Sequence, residues 1–285
     1  MNKVSVIIPT HNRSTQLIAA VESVLKQGVD GLEIIVIDDH SGEKHYASIE
    51  QLAQANDQIT VIQNDQNLGV SASRNKGLDM ATGEFVLFLD DDDVLLPDML
   101  SRSLETIQEG NMDLVSSRSK VEGSGIARDK LERYNRQQAE KLNVYAMNSH
   151  PSEHIFLYAP QIHTFLVRRS TIGGTRFSTD LNYGEDIMFW LALVDKNICC
   201  EKLDFAGSSY KIQEDGLSQM ADYHSKMLFY KFLLAKTKGN KIIRNLCFLK
   251  MAYVSLSEMK LNFFIWIFKA MANPLLFFRH VRVYL

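Results

Sequence analysis

The sequence predicts an α/β fold, a Rossmann-like and mostly parallel sheet flanked by helices, with a helical C-terminal extension. Three observations carry this. Short β-branched runs alternate with helical patterns through the first 120 residues, the richest polar clusters stand just after predicted strands, and after about residue 219 only helical patterns remain. The runs are VSVII (4–8), EIIVI (33–37), ITVI (59–62), EFVLFL (84–89) and MDLVSS (112–117), with FLVRR (165–169) as a later strand. Strands alternating with helices imply a sheet covered on both faces. LIAAVESVLKQG (17–28) sets Leu17, Ile18, Val21, Val24 and Leu25 at helical spacing and stops at Gly28, while DIMFWLALV (186–194) reads as an apolar helix. The expected division is 1–218, made of halves 1–120 and 121–218, followed by a basic helical extension over 219–285. Residues 121–150 turn polar, look helical from Arg128 to Met147, and read as an insertion or flap.

At 285 residues and 46% hydrophobic content the chain can bury a sizeable core. Its net charge of −3 conceals an asymmetry. Residues 224–285 hold eleven Lys or Arg against Glu258 alone, a surplus of +10, which leaves −13 for the first 223 residues. Cys199, Cys200 and Cys247 provide neither a disulfide framework nor zinc-site spacing, and VSVIIP is too short for a signal-peptide apolar region. A cytoplasmic location is expected, with no nucleic-acid partner.

PTHN (9–12), DDHS (38–41) and DDDD (90–93) each follow a predicted strand, so a parallel sheet would gather them on one rim, where such folds bind ligands. Two carboxylates about 4 Å apart repel by about 1 kcal/mol in water and about 4 at an effective dielectric of 20, so the aspartate run calls for solvent or a cation. If the run is extended, Asp90 and Asp92 share one side and Asp91 and Asp93 the other. One such pair suits Mn2+ or Mg2+ with positions left open for water and a substrate diphosphate. Asp93 also suits a cap for the helix after Pro97. NLGVSASRNKG (67–77) places Gly69 before a helix carrying Arg74, a setting that favours anions. YGEDIMFW puts Glu185 and Asp186 at a helix start, where they either answer the helix dipole or supply a general base.

VSVIIPTHNR, EIIVIDDHS, NLGVSASRNKG, FLDDDDVLLPDML and EDIMFW, in that order, resemble a family 2 glycosyltransferase of the GT-A fold over roughly residues 2–218. The resemblance implies an inverting, non-processive enzyme that moves one sugar from a UDP-sugar to a glycan or lipid-linked glycan in surface polysaccharide biosynthesis. It implies that Pro9, Thr10 and His11 line the base pocket, that Asp39 accepts from uracil N3, and that Gly69 and Arg74 lie near the nucleotide. Asp90 would approach the ribose or the metal shell, Asp91 would contribute through its backbone, and Asp92 would bind the divalent ion. Asp186 would be the base, with Glu185 assisting in acceptor binding. Two departures stand out: His11 occupies a position where Tyr is usual, and YKIQEDGLS (210–218) sets Lys211 and Gln213 where Arg and His are common. The Gln-x-x-Arg-Trp signature of processive synthases is absent.

Two other functions compete. LFLDDDDV also fits the motif of aspartate-nucleophile phosphatases, with Asp90 attacking phosphorus and Asp92 as acid/base, although there the motif normally sits on the first strand. A non-catalytic nucleotide-sugar binding or scaffold protein is the other. The tail, LNFFIWIFKAMANPLLFFRHVRVYL (261–285), interleaves basic and aromatic residues but is broken by Lys269, Asn273 and Pro274. It suits an interfacial helix on an anionic membrane, or packing against the catalytic unit or a homo-oligomer partner.

Overall fold

The computed structural model describes residues 3–122, 147–158, 161–211, 222–237, 240–257, 262–274 and 276–277. Strands β1 (Val4–Thr10), β2 (Leu32–Asp38), β3 (Ile59–Gln63) and β4 (Phe85–Phe88) form a parallel half-sheet in the order β3-β2-β1-β4. The second half is mixed. β7 (Phe165–Arg168) runs antiparallel to both β4 and β6 (Leu114–Glu122), β8 (Cys200–Lys211) is parallel to β6, and the two-residue β5 (Val94–Leu95) closes the edge antiparallel to β8. All six runs expected as strands form, with ends moved by at most five residues. β8 goes beyond expectation because CEKLDFAGSSYK mixes charged and small residues with few β-branched ones.

Every residue of β1 is buried, as a central parallel strand requires. Its pleat divides it between two hydrophobic clusters: Ile7 joins Ile35, Ile37, Val86 and Phe88 on one face, and Val4, Val6 and Ile8 join Ile34, Val36 and Leu87 on the other. Helices α1 (Ser14–Leu25), α2 (Glu43–Ala55) and α4 (Met99–Glu109) cover the second face through Leu17, Val21, Ile49, Leu100 and Ile107. The first is covered by α3 (Val70–Met80), α5 (Pro151–Tyr158), the short α6 (Arg169–Ile172) and α7 (Glu185–Val194), whose Trp190 is fully buried.

The C-terminal helices extend that same core. Phe229 and Leu233 of α8 (Tyr223–Lys236) and Leu246, Cys247 and Met251 of α9 (Lys241–Ser257) belong to one cluster with Ile7, Phe88 and Trp190. Fully burying such a side chain contributes about 1.5–3 kcal/mol, so α8 and α9 are integral to the α/β unit. α10 (Asn262–Met271) is tied to α9 by Asn245, whose Nδ2 donates to the Ala270 carbonyl at 2.6 Å, and by Trp266 stacked on Phe248. It leaves Ile265, Phe268 and Met271 exposed. Among the described residues no helix is long and apolar enough to cross a membrane.

Candidate active site

Because β1 to β4 are parallel, the loops after them share one rim, and their polar residues stitch that rim together. The Asp39 N–H donates to the Thr10 carbonyl at 2.8 Å, and His11 Nδ1 lies 2.7 Å from the Asp39 carbonyl oxygen. Asn12, in the left-handed region at φ 56°, donates its N–H to Ser41 Oγ and accepts from the Gly42 N–H with Oδ1. Pro9 and Thr10 are buried while His11 is exposed. The carboxylate of Asp39 accepts from the N–H groups of Leu68 and Gly69 and from Asn64 Nδ2, each at 2.8 Å. These three donors bind it to the loop preceding α3, which Gly69 begins at φ 86°. A carboxylate offers about four acceptor sites, so among the described residues one stays open.

The aspartate run is a turn rather than an extended strand: the Asp93 N–H donates back to the Asp90 carbonyl at 3.2 Å. The expected pairing nevertheless emerges by exposure, with Asp91 and Asp93 buried and Asp90 and Asp92 partly open. Each carboxylate has its own partner. Asp90 meets Arg74 Nη2 at 2.7 Å, Asp91 accepts from Thr10 Oγ1 at 2.7 Å, Arg13 Nη1 lies 3.3 Å from Asp91 and 3.1 Å from Asp92, and His163 Nδ1 is 2.6 Å from Asp93. Two expectations therefore change. Asp91 acts through its side chain and not only its backbone. Asp93 caps no helix, because it is taken by His163, and the N-cap of α4 is Asp98 in a left-handed conformation.

The electrostatics follow from these partners. Burial pushes the Asp91 carboxyl up to about 6 despite Thr10 and Arg13, and burial also raises Asp92, with Asp90 adding to it. For Asp93 burial again outweighs the opposing pull of His163. Asp90 goes the other way: burial disfavours its charge, but the Arg74 guanidinium wins and holds it below the usual carboxylate range.

Arg74 is the centre of the site. It is 4% exposed, packs over the Phe177 ring at 5.3 Å, and extends Nη1 to Glu185 Oε1 at 3.2 Å while Nη2 holds Asp90. One guanidinium thus joins the end of β4 to the start of α7. That start is fixed by Gly184, which sits at φ 74° and whose missing Cβ would lie 2.6 Å from the Phe229 ring. Asp186, next on the helix, is half-buried and accepts from the Ile187 N–H at 2.8 Å. Burial, then the neighbouring Glu185, push it up to about 7. Ser71 Oγ and Arg74 Nε, both buried in the first turns of α3, have no hydrogen-bond partner among the described residues.

The donor set suits a hard divalent ion: two partly open carboxylates, Asp90 and Asp92, whose mutual repulsion a cation would relieve. Among the described residues no group of three or more His, Cys, Asp or Glu is arranged to hold a metal, so any ion here shares its shell with substrate and water. Gln213 and the stretch from 123 to 146 lie outside the described residues. Sequence reasoning passed over Arg13 and His163. Arg13 was legible as the last residue of VSVIIPTHNR; His163 carried no signal, since its partner Asp93 is seventy positions away. The phosphatase alternative needs Asp90 as a free nucleophile at the first strand, whereas it is locked to Arg74 after the fourth.

The family model of glycosyl transferase family 2 matches residues 5–164. The chain is 29% identical over 250 residues, 85% of its length and 76% of the relative's, to the GalNAc(5)-diNAcBac-PP-undecaprenol beta-1,3-glucosyltransferase of Campylobacter jejuni. Over a shorter stretch, 44% of this chain and 39% of the relative, it is 37% identical to the poly(ribitol-phosphate) beta-N-acetylglucosaminyltransferase TarP of Staphylococcus aureus. The fold is similar to that of S. aureus TarS in complex with UDP-GlcNAc, at TM-score 0.66 and 22% identity over 90% of this chain and 73% of that one. It is similar too to the mannosyltransferase PcManGT of Pyrobaculum calidifontis in complex with GDP-Man and Mn2+, at TM-score 0.65 and 16% identity over 95% and 76%. With the family match covering more than half of the chain and the strand-end carboxylates on one rim, the chain belongs to glycosyl transferase family 2 and is a glycosyltransferase of the GT-A fold.

Proposed function

We propose that this enzyme transfers a single sugar, with inversion, from a UDP-sugar to a hydroxyl of a lipid-linked or polysaccharide glycan, using Mn2+ or Mg2+. The observation that carries this is Arg74, whose one guanidinium holds Asp90 and Glu185 and so brings the strand-end aspartates beside Asp186. Asp92, with Asp90, is the place for the ion, which when bound would stabilise the leaving diphosphate. Pro9, Thr10 and His11 line the base side, and Asp39 offers its remaining acceptor site to the ring N–H of uracil. The unpartnered Ser71 Oγ and Arg74 Nε provide donors for an anion at the start of α3.

Asp186 then removes the proton of the acceptor hydroxyl as that oxygen attacks the anomeric carbon. A carboxyl raised to about 7 suits this task, because it is basic enough to take the proton yet still about half ionised at neutral pH. Glu185, kept in place by Arg74, borders the acceptor side. The exposed Ile265, Phe268 and Met271 beside Lys269 suit a membrane surface carrying the lipid-linked acceptor, on the cytoplasmic face. A surface-polysaccharide repeat unit, of the O-antigen or capsule kind, is the acceptor class such an arrangement serves.

A panel of UDP-sugars, tested for Mn2+-dependent hydrolysis and transfer, checks the donor and the metal together. Release of UDP from one member, lost with chelator and with Asp92→Asn, is the expected result. Tight UDP binding with no turnover of any sugar would instead favour a scaffold.

A further inference from the structure

The three basic side chains that meet the aspartate run among the described residues are not equivalent. Arg74 is 4% exposed in its side chain and His163 is 1% exposed, whereas Arg13 is 40% exposed. Arg13 also makes the looser contacts, 3.1 Å to Asp92 and 3.3 Å to Asp91 from the same Nη1. Asp91 has a second partner, because Thr10 Oγ1 donates to its other oxygen at 2.7 Å. Asp92 is the carboxylate that Arg13 guards, and it is the one assigned to the divalent ion above.

A guanidinium and a divalent ion compete for one carboxylate. They carry charge of the same sign, and a divalent ion doubles the repulsion that a monovalent one would meet. A diphosphate removes the conflict, since it offers the guanidinium a bidentate anionic partner. We propose that Arg13 is a displaceable counter-ion: it neutralises Asp92 in the empty enzyme, discourages metal binding alone, and transfers to the diphosphate when the nucleotide arrives. Metal and nucleotide therefore load together, and each raises the affinity for the other by the same factor. This rests on the reading of Asp92 as the metal residue.

The test is Mn2+ binding to the full chain, followed through the paramagnetic resonance of free Mn2+, with and without UDP. Removing an exposed competing charge is worth about three- to tenfold. Arg13→Gln is expected to bind Mn2+ alone that much more tightly than the wild type, with the enhancement by UDP shrinking in proportion. Arg13→Lys, which keeps the charge, restores weak binding of Mn2+ alone. Equal or weaker Mn2+ binding by Arg13→Gln, or an Arg13→Lys that behaves like Arg13→Gln, overturns the counter-ion role while leaving the metal assignment intact. If Asp92→Asn binds Mn2+ as the wild type does, the metal assignment itself fails and the role of Arg13 with it.

Discussion

Two acidic groups on one rim are treated in opposite ways. Along residues 90–93 every carboxylate is compensated, by Arg74, by Thr10 and Arg13, by Arg13, and by His163 in turn. At the start of α7 the compensation stops short: Glu185 shares Arg74 with Asp90, and Asp186 accepts only from the Ile187 N–H among the described residues. The first arrangement presents carboxylates to a cation and, in Arg13 and Arg74, guanidinium groups to an anion. The second leaves Asp186 pushed up to about 7, further than the about 6 of Asp91, as the proposed base role requires.

The largest effect should come from the uncompensated side. Asp186→Asn keeps the shape of the side chain and removes its basicity, so transfer should fall by about 10²–10⁴-fold. UDP affinity, measured by calorimetry, should stay near the wild-type value because Asp186 is not assigned to the nucleotide. Full turnover by this variant would erase the contrast between the two groups.

Removing the shared cation should break both sides at once. Arg74→Met strands Asp90 and Glu185, and deleting one partner of a buried pair costs about 3–5 kcal/mol; since Asp90 is 35% exposed in its side chain, about 2–4 kcal/mol is expected. Urea denaturation at pH 7 reads this directly. The loss should shrink in acid, because the Asp90 carboxyl, held below its ordinary range by Arg74, contributes its stability above the unfolded pKa and loses it as pH falls through the folded one. A variant as stable as the wild type at pH 7 would mean that solvent, not Arg74, compensates the rim.

The compensated side was only half legible in the sequence. The strands were readable because apolar runs of β-branched residues must be buried, and the Asp residues because they follow those strands. Arg74 was found through its place after Gly69. What the sequence did not disclose is pairing: Asp93 looks like any helix cap until His163, brought in by β7 against β4, is seen beside it. The turn over 90–93 was hidden for a related reason, since four aspartates have no preference strong enough to reveal whether they extend or fold back. β8 escaped notice because its partners, β6 and β5, bury it by position and not by composition.

His163→Leu isolates that hidden pair. It leaves the Asp93 carboxyl buried without its partner, and an unsatisfied buried acceptor costs about 1–3 kcal/mol. Thermal melting should show the loss, with Mn2+ and UDP binding weakened far less than by Asp92→Asn. Equal damage to ligand binding would show that the Asp93 end of the turn is as much a part of the site as Asp92.

The finest test asks how weakly Asp186 is compensated, since Arg74 opposes its burial only in part. Its carboxyl rises from 3.8 to about 7 on folding, chiefly by burial. The folded chain therefore holds this proton through a range in which the unfolded chain has released it. The associated stability is fully present below about pH 4 and is lost as pH rises through about 7. Asp186→Asn has no proton to lose, so its melting temperature relative to the wild type should climb between pH 4 and pH 8, by about 2–4 °C for each 1 kcal/mol in a chain of this size. The rate of transfer should move oppositely in the wild type, rising with pH to a plateau above about 7 as the base form fills. A flat melting difference would mean that an unseen donor satisfies Asp186, and the contrast with the aspartate turn would then lie in geometry alone.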